Sequence, residues 1–447
     1  MQKVKQTVKF PFFLTNSYVV LMSSGFILWP GTGGYAAIQQ GKYHAFLILT
    51  CSYLGLMALF SLQMILTGQL AIPKPMNIAR SFSSTQWMIL LYLLFTTIST
   101  LLSPHRNQAL IGMTRNEGLL THFLYCSTFL CVSSFVRIKR WMGWILSATM
   151  VCFCGICLLQ MQGLNPLNLY PDGLTYFDAN INYSGIYLGT IGNADLVAAL
   201  LCLTLPIFTV LAFQRKDRFG CLYLLPAVLC FVVLIKMNVQ AGIIGIGLGL
   251  LLSLPKILPL SHRLKRLVFV IVVLLLLCAL TMVFLSDVQS GSIYELREVL
   301  HGNWKDEFGN GRVLIWRQLL ERIPENLLFG TGPDTMSAYE IPGYFWYHAE
   351  TDTTIPLMVD VAHNEYLNIL FHQGIFALLS YIGALAVTAI RWLRTDDPKG
   401  IVLGCGVLCY CIQAFFGFSM CPTASLFWLM WALLERLLNE ETEEKRT

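Results

Sequence analysis

Residues 267–285 read LVFVIVVLLLLCALTMVFL, nineteen residues without a single charge. A helix of that length rises roughly 28 Å, close to the ~30 Å hydrocarbon core of a bilayer. Arg263, Lys265 and Arg266 stand before the run, and Asp287 follows it. An uncharged run of this length with a basic flank is a membrane-spanning helix whose basic end faces the cytoplasm. Working outward, similar runs recur at 11–30, 44–67, 84–102, 119–136, 141–160, 191–213, 220–236, 238–254, 366–390, 401–419 and 422–438, which predicts about 12 transmembrane helices. The seventh and eighth are nearly continuous and join near Asn238. The first, preceded by Lys3, Lys5 and Lys9, is too long for a typical signal-peptide core and reads as a retained helix.

Composition agrees with the runs. Of 447 residues, 56% are hydrophobic and 12% charged, with mean hydropathy +0.63. Soluble proteins carry about 25% Asp, Glu, Lys and Arg. Half that charge cannot cover a globule of this size, so a soluble enzyme, a disordered chain and a collagen-like fibre are excluded. The expected fold class is an all-α polytopic membrane protein. Its 14 cysteines lie almost entirely in apolar runs and none lies in 286–365, so no disulfide framework is expected.

Orientation follows from Lys and Arg. With both termini cytoplasmic, 21 of the 30 basic residues fall on the inner side. The outer side and the membrane keep Lys42, Arg106, Arg115, Lys236, Arg297, Lys305, Arg312, Arg317 and Arg322. A missed or extra span would break this alternation. The chain then divides into 1–285 (nine helices), 286–365 (a long extracytoplasmic loop), 366–438 (three helices) and 439–447 (a cytoplasmic tail). A second outer connection, 161–190, is polar and Asn-rich.

The long loop carries thirteen acidic and five basic residues. A connection of this length is rarely passive. Within it Ile315, Trp316, Leu319, Leu320 and Ile323 recur at helical spacing, predicting an amphipathic helix over 312–326, with Asn310 as N-cap and Pro324 near its end.

Six side chains are candidates for chemistry. His363, in Ala362-His363-Asn364-Glu365, sits at the membrane end of the loop, either as a general base, since an unperturbed imidazole titrates near ~6.5, or as an interfacial cap. Asn364 or Asp360 is placed to orient its ring. Arg312, at the start of the loop helix, is either a bidentate phosphate ligand or a snorkelling cation. Arg115 either pairs with Glu117 or meets an anionic substrate. Lys236 ends an apolar run near Asn238 and Gln240, and a cation at membrane depth is a functional candidate by default. His348, Asp352, Asp360 and His363 follow no tight ligand spacing, so no metal is expected. Neither a nucleotide loop nor a nucleophile elbow is present, so no cofactor and no nucleic acid partner is expected.

Several of these stretches resemble the superfamily of O-antigen ligases, O-antigen polymerases and bacterial O-oligosaccharyltransferases. They are Gly311-Arg312-Val313-Leu314-Ile315-Trp316, Pro324 to Pro333, Ala362 to Leu367, and Gly374. Arg115-Asn116-Glu117-Gly118-Leu119-Leu120, Gly189 to Asp195, and Ile412 to Ser419 extend the likeness over roughly 110–435. The resemblance implies a GT-C-like membrane glycosyltransferase that uses neither metal nor nucleotide. Its donor would be a glycan on undecaprenyl diphosphate, presented at the outer face of the bacterial cytoplasmic membrane among the membrane lipids. Its acceptor would be a glycan, lipid or protein hydroxyl. The resemblance maps the family histidine onto His363 and the loop arginine onto Arg312. Where many members carry Ser-Arg-Gly, this chain reads Val239-Gln240-Ala241-Gly242, and Lys236 is placed to supply the missing charge. The alternative function is a transporter or flippase of lipid-linked glycans. That reading expects internal repeats or broken midplane helices with paired charges, and the sequence shows neither.

Overall fold

The computed structural model describes residues 9–69, 81–169, 175–176, 181–182, 188–214, 220–348 and 353–444. Of the inner-side cations, Lys3, Lys5, Lys74, Arg80, Arg215, Lys216, Arg218, Lys445 and Arg446 lie outside these residues, as do Asp352 and, within 161–190, residues 170–174, 177–180 and 183–187.

Fifteen α-helices are present among the described residues. They are α1 (Lys9–Leu21), α2 (Ile38–Leu66), α3 (Ser84–Leu102), α4 (Arg106–Ile111), α5 (Leu119–Phe135), α6 (Arg140–Met161), α7 (Ala194–Gln214), α8 (Cys221–Met237), α9 (Gln240–Ile257), α10 (His262–Phe284), α11 (Gly291–Leu300), α12 (Arg312–Arg322), α13 (Glu365–Arg394), α14 (Pro398–Gln413) and α15 (Cys421–Glu444). Seven of them, α2, α3, α6, α7, α9, α10 and α13, are long and apolar enough to cross a membrane. Three shorter apolar helices are α5, α8 and α14. Each of the twelve apolar runs coincides with a helix, the remaining two being α1 and α15. Asn238, in the left-handed region at φ 53°, separates α8 from α9.

The bundle is built around α7, which is buried over most of its length against α8, α9 and α14. α13 packs on α3, and α15 on α5. By contrast α10, which holds the run quoted first, buries only Val272. An all-round apolar helix with no protein cover suits a lipid environment. Beyond α1 the helix continues through a π turn, Met22–Phe26, and at its end fully buried Lys42 donates from Nζ to the carbonyl of Phe26 and, at 2.9 Å, to that of Ile27. The ammonium thus satisfies orphan carbonyls at a helix C-terminus.

The outer loop departs from expectation in two ways. Besides a two-residue pair before it, β1 (Thr175–Tyr176) with β2 (Ile181–Asn182), a β-hairpin, β3 (Pro342–His348) with β4 (Thr353–Met358), lies where no strand was predicted. And α12 is not capped by Asn310: its N-cap is Gly311, at φ 69°, with no side-chain cap. The expected apolar face is real. Ile315 and Leu319 join Met336, Ile341 and Ala362 of the loop and Phe371 of α13 in a small core.

The absence of a broken helix is also corrected. Helix α13 is interrupted at Gly374, φ 82° and ψ 178°. Residues 327–332 dock into the break: Thr331 N donates to Phe371 O at 3.1 Å, Gly332 N to His372 O at 2.8 Å, and Ile375 N to Leu327 O at 2.8 Å. Backbone groups freed by the interruption are satisfied by the loop, as they must be near a bilayer. The break therefore fixes the outer loop to the bundle. A Cβ at Gly374 would lie 2.3 Å from Leu328 O. Left-handed strain alone costs about 1–3 kcal/mol, so Gly374→Ala should lower the melting temperature of detergent-solubilised protein markedly. An unchanged melting temperature would show that the break is not rigid.

Candidate active site

The break in α13 and the start of α12 bring three distant segments together above the bundle. Asp334, buried just after the docked turn, accepts bonds from Thr114 N and Oγ1, from Arg115 N at 2.8 Å and from Glu117 N. One carboxylate so holds the turn 112–117 against the outer loop. Arg115 is positioned by that turn. It forms a bidentate pair with Asp360, Nε to Oδ2 and Nη2 to Oδ1, both at 2.9 Å. It does not pair with Glu117, whose carboxylate instead accepts from Tyr125 Oη at 3.0 Å. Fork-to-fork geometry of this kind is specific to guanidinium.

Phe418, from the turn between α14 and α15, lies under both candidate groups. The Arg115 guanidinium sits 4.7 Å from its ring centroid. The His363 ring meets it edge to face at 5.2 Å. His363 itself is in the left-handed region at φ 48°, an uncommon conformation for a non-glycine residue. Its Nδ1 is buried without a partner. Asn364 does not orient the ring: its Oδ1 accepts from Leu367 N at 3.0 Å and caps α13. Asp360 is taken by Arg115. Burial, then the positive charges of Arg312 and Arg115, push the His363 pKa down to about 4, against a smaller opposing effect of Asp360. The imidazole is therefore neutral at pH 7.

Arg312 opens α12. Its Nη1 donates to Gly309 O at 2.9 Å, while its buried Nε has no partner. Two cations, an imidazole and their aromatic support thus converge at one end of the bundle. Asp195, at the first turn of α7, is within electrostatic range of both Arg312 and Arg115. Trp316 Nε1 donates to Ala362 O at 2.9 Å and ties α12 to the residue before His363. Below Arg115 and Asp360 opens a polar cavity that reaches Glu117, His122 and Gln373. Among the described residues no group of three His, Cys, Asp or Glu side chains could hold a metal ion.

Residues 225–382 match the family model described as O-Antigen ligase. That segment is similar to the O-antigen ligase family. No curated protein matches the chain. The matched segment spans residues 286–365 and both flanks, so it contains Arg312, Asp334, Asp360, His363 and Gly374. Arg115 and Phe418 fall outside it, and the fold carries them to it.

Lys236 and Gln240 stand apart. Lys236 is exposed at the last turn of α8 and is not among the charges acting on His363. Gln240 Nε2 donates to Ser292 Oγ of α11 at 2.6 Å. His372 is a buried structural residue: its Nδ1 lies 2.9 Å from Gly332 O, in the docked turn. Asp334 and Phe418 are not singled out in the sequence, although Asp334 adjoins one stretch quoted above and Phe418 lies within another. Asp334 follows Gly332-Pro333 directly, and Phe418 lies within the aromatic run before Ser419.

Proposed function

We propose that the chain is a membrane glycosyltransferase. It moves or polymerises a glycan from an undecaprenyl-diphosphate donor onto an acceptor hydroxyl at the outer face of the cytoplasmic membrane. The observation that carries this reading is the convergence of His363, Arg312 and Arg115 at the end of a loop within the O-antigen ligase segment. A neutral imidazole takes the acceptor proton. The freed oxygen attacks the anomeric carbon, the bond to the diphosphate oxygen breaks, and the leaving charge is met by Arg312. Arg115 adds a second cation once Asp360 is displaced by the substrate. Displacement in one step inverts the anomeric centre. Energy is stored in the donor linkage, so the reaction needs neither nucleotide nor metal. The Lys and Arg of the short connections support this orientation, with twelve spans in a GT-C-like bundle, both termini inside and this face outward.

The rival reading, a flippase, draws some support from the broken α13. The break is filled by loop backbone rather than by paired charges, which favours an enzyme. Purified protein in detergent, with no gradient, should convert lipid-linked glycan. Transport activity in vesicles without any conversion would reverse the choice. For the orientation, single cysteines at Ser292 and Asn303 in a cysteine-depleted background should react with an impermeant maleimide on spheroplasts, and those at Lys139 and Ser261 should not. The opposite pattern would move the site to the cytoplasm.

Lys236 enters as a donor contact only if it substitutes for the absent family arginine. Lys236→Met should then lower turnover strongly at unchanged protein level, with Lys236→Arg active. Full turnover in Lys236→Met would leave it as a snorkelling side chain.

A further inference from the structure

We propose that the cavity beneath the Arg115–Asp360 pair is the subsite for the first sugar ring of the donor, the one bonded to diphosphate. This rests on the diphosphate reading above. A ring whose anomeric oxygen belongs to a phosphate held by Arg115 must lie within a few bonds of that arginine, and the cavity opens there.

The lining is of the kind that binds pyranoses. One wall is aromatic: Trp428 stacks with Tyr125 at 6.0 Å and 14°, and with Tyr92 at 6.1 Å and 28°. Such a wall accepts the apolar C–H face of a sugar. The opposite requirement, donors and acceptors for ring hydroxyls, is met by Glu117, Gln373 and Asn368. Gln373 is the telling residue. It is 2% exposed, and its amide nitrogen is engaged at 2.9 Å by His122 Nε2, which is itself linked through Nδ1 to Tyr92 Oη at 3.1 Å. Its Oε1 has no partner. Turning the amide over only exchanges which end is unpaired. A buried polar atom left without a partner costs free energy unless a ligand or water satisfies it. Glu117 adds a second feature. Burial, with the nearby Asp334 carboxylate, raises its pKa well above the usual carboxylate range. Its carboxyl lines the cavity and is a hydrogen-bond partner for a ring hydroxyl.

The test compares affinities in detergent. The probes are farnesyl diphosphate and farnesyl diphosphate carrying glucose, N-acetylglucosamine or N-acetylgalactosamine. At least one sugar-bearing probe should bind wild-type protein about 10-fold more tightly than farnesyl diphosphate, the gain of one or two satisfied hydrogen bonds. Gln373→Leu should erase most of that gap and leave farnesyl diphosphate affinity unchanged. The isosteric Gln373→Glu, which keeps the packing, should narrow it as well. Equal affinity for all four probes, or a gap intact in both variants, would overturn the subsite. Loss of binding to every probe, including farnesyl diphosphate, would overturn the diphosphate reading and this subsite with it. His363→Ala should leave the gap untouched, because the subsite does not depend on the base.

Discussion

His363→Ala loses product formation by ~10²-fold or more, while the protein still inserts and still binds lipid-linked donor. A positioned general base is worth ~10²–10⁴ in rate, and an alanine removes the base without filling the groove around it. His363→Gln is expected to be equally inactive, since an amide can hold a hydrogen bond but cannot take a proton at neutral pH. The site makes a further demand. His363 sits at φ 48°, and its ring lies against Phe418. A variant that relaxed this turn would disturb Ala362 and the α13 cap as well, so each protein needs a melting curve beside its rate. His372 serves as the control for a structural histidine: its ring holds the docked turn through Gly332. His372→Ala should lower stability first and activity only as a consequence.

Arg312→Leu should cost ~10²–10³ in turnover, the range seen for losing one preorganised hydrogen-bond donor at a site of developing negative charge. The guanidinium is half-buried, carries one bond to Gly309 O and keeps a buried Nε free. Arg312→Lys keeps the charge but not the fork, and should recover part of the loss. The same substitution has a second readout. Arg312 is the larger of the two cations that depress the His363 pKa, after burial. Its removal should move the acid limb of the residual activity upward from about 4, toward the ordinary histidine range. An arginine that merely snorkels would leave both turnover and the acid limb where they were.

The parts of this fold that follow local rules were readable in the chain. Runs such as 267–285 become helices because a bilayer leaves an apolar backbone no other way to satisfy its polar groups. The stripe Ile315, Leu319, Ile323 packs as its spacing implies. What could not be read depends on partners far apart in sequence. Nothing near Arg115 announces Asp360, 245 residues away, and Glu117 was the nearer candidate. The break at Gly374 looks like an ordinary helical glycine until the turn 327–332 is seen to occupy it. The β3–β4 hairpin did have a signal, an aromatic run facing Thr353-Thr354-Ile355, but it lay inside a loop read for helical period alone. His363 and Arg312 were named from position and resemblance, and the geometry adds the depressed basicity of one and the proximity of the other.

The most direct test is the pH dependence of kcat/KM for purified protein on lipid-linked glycan, since that ratio reports the ionisation of the free enzyme. A base whose proton affinity is lowered by burial and by two arginines is neutral and competent above its pKa and is lost as it gains a proton. Activity should therefore hold from neutral pH down to about 5 and fall tenfold per pH unit below about 4. The residual activity of His363→Ala should lack that limb. An acid limb that survives in His363→Ala, or wild-type turnover from that variant, would contradict the assignment of the base and with it the mechanism.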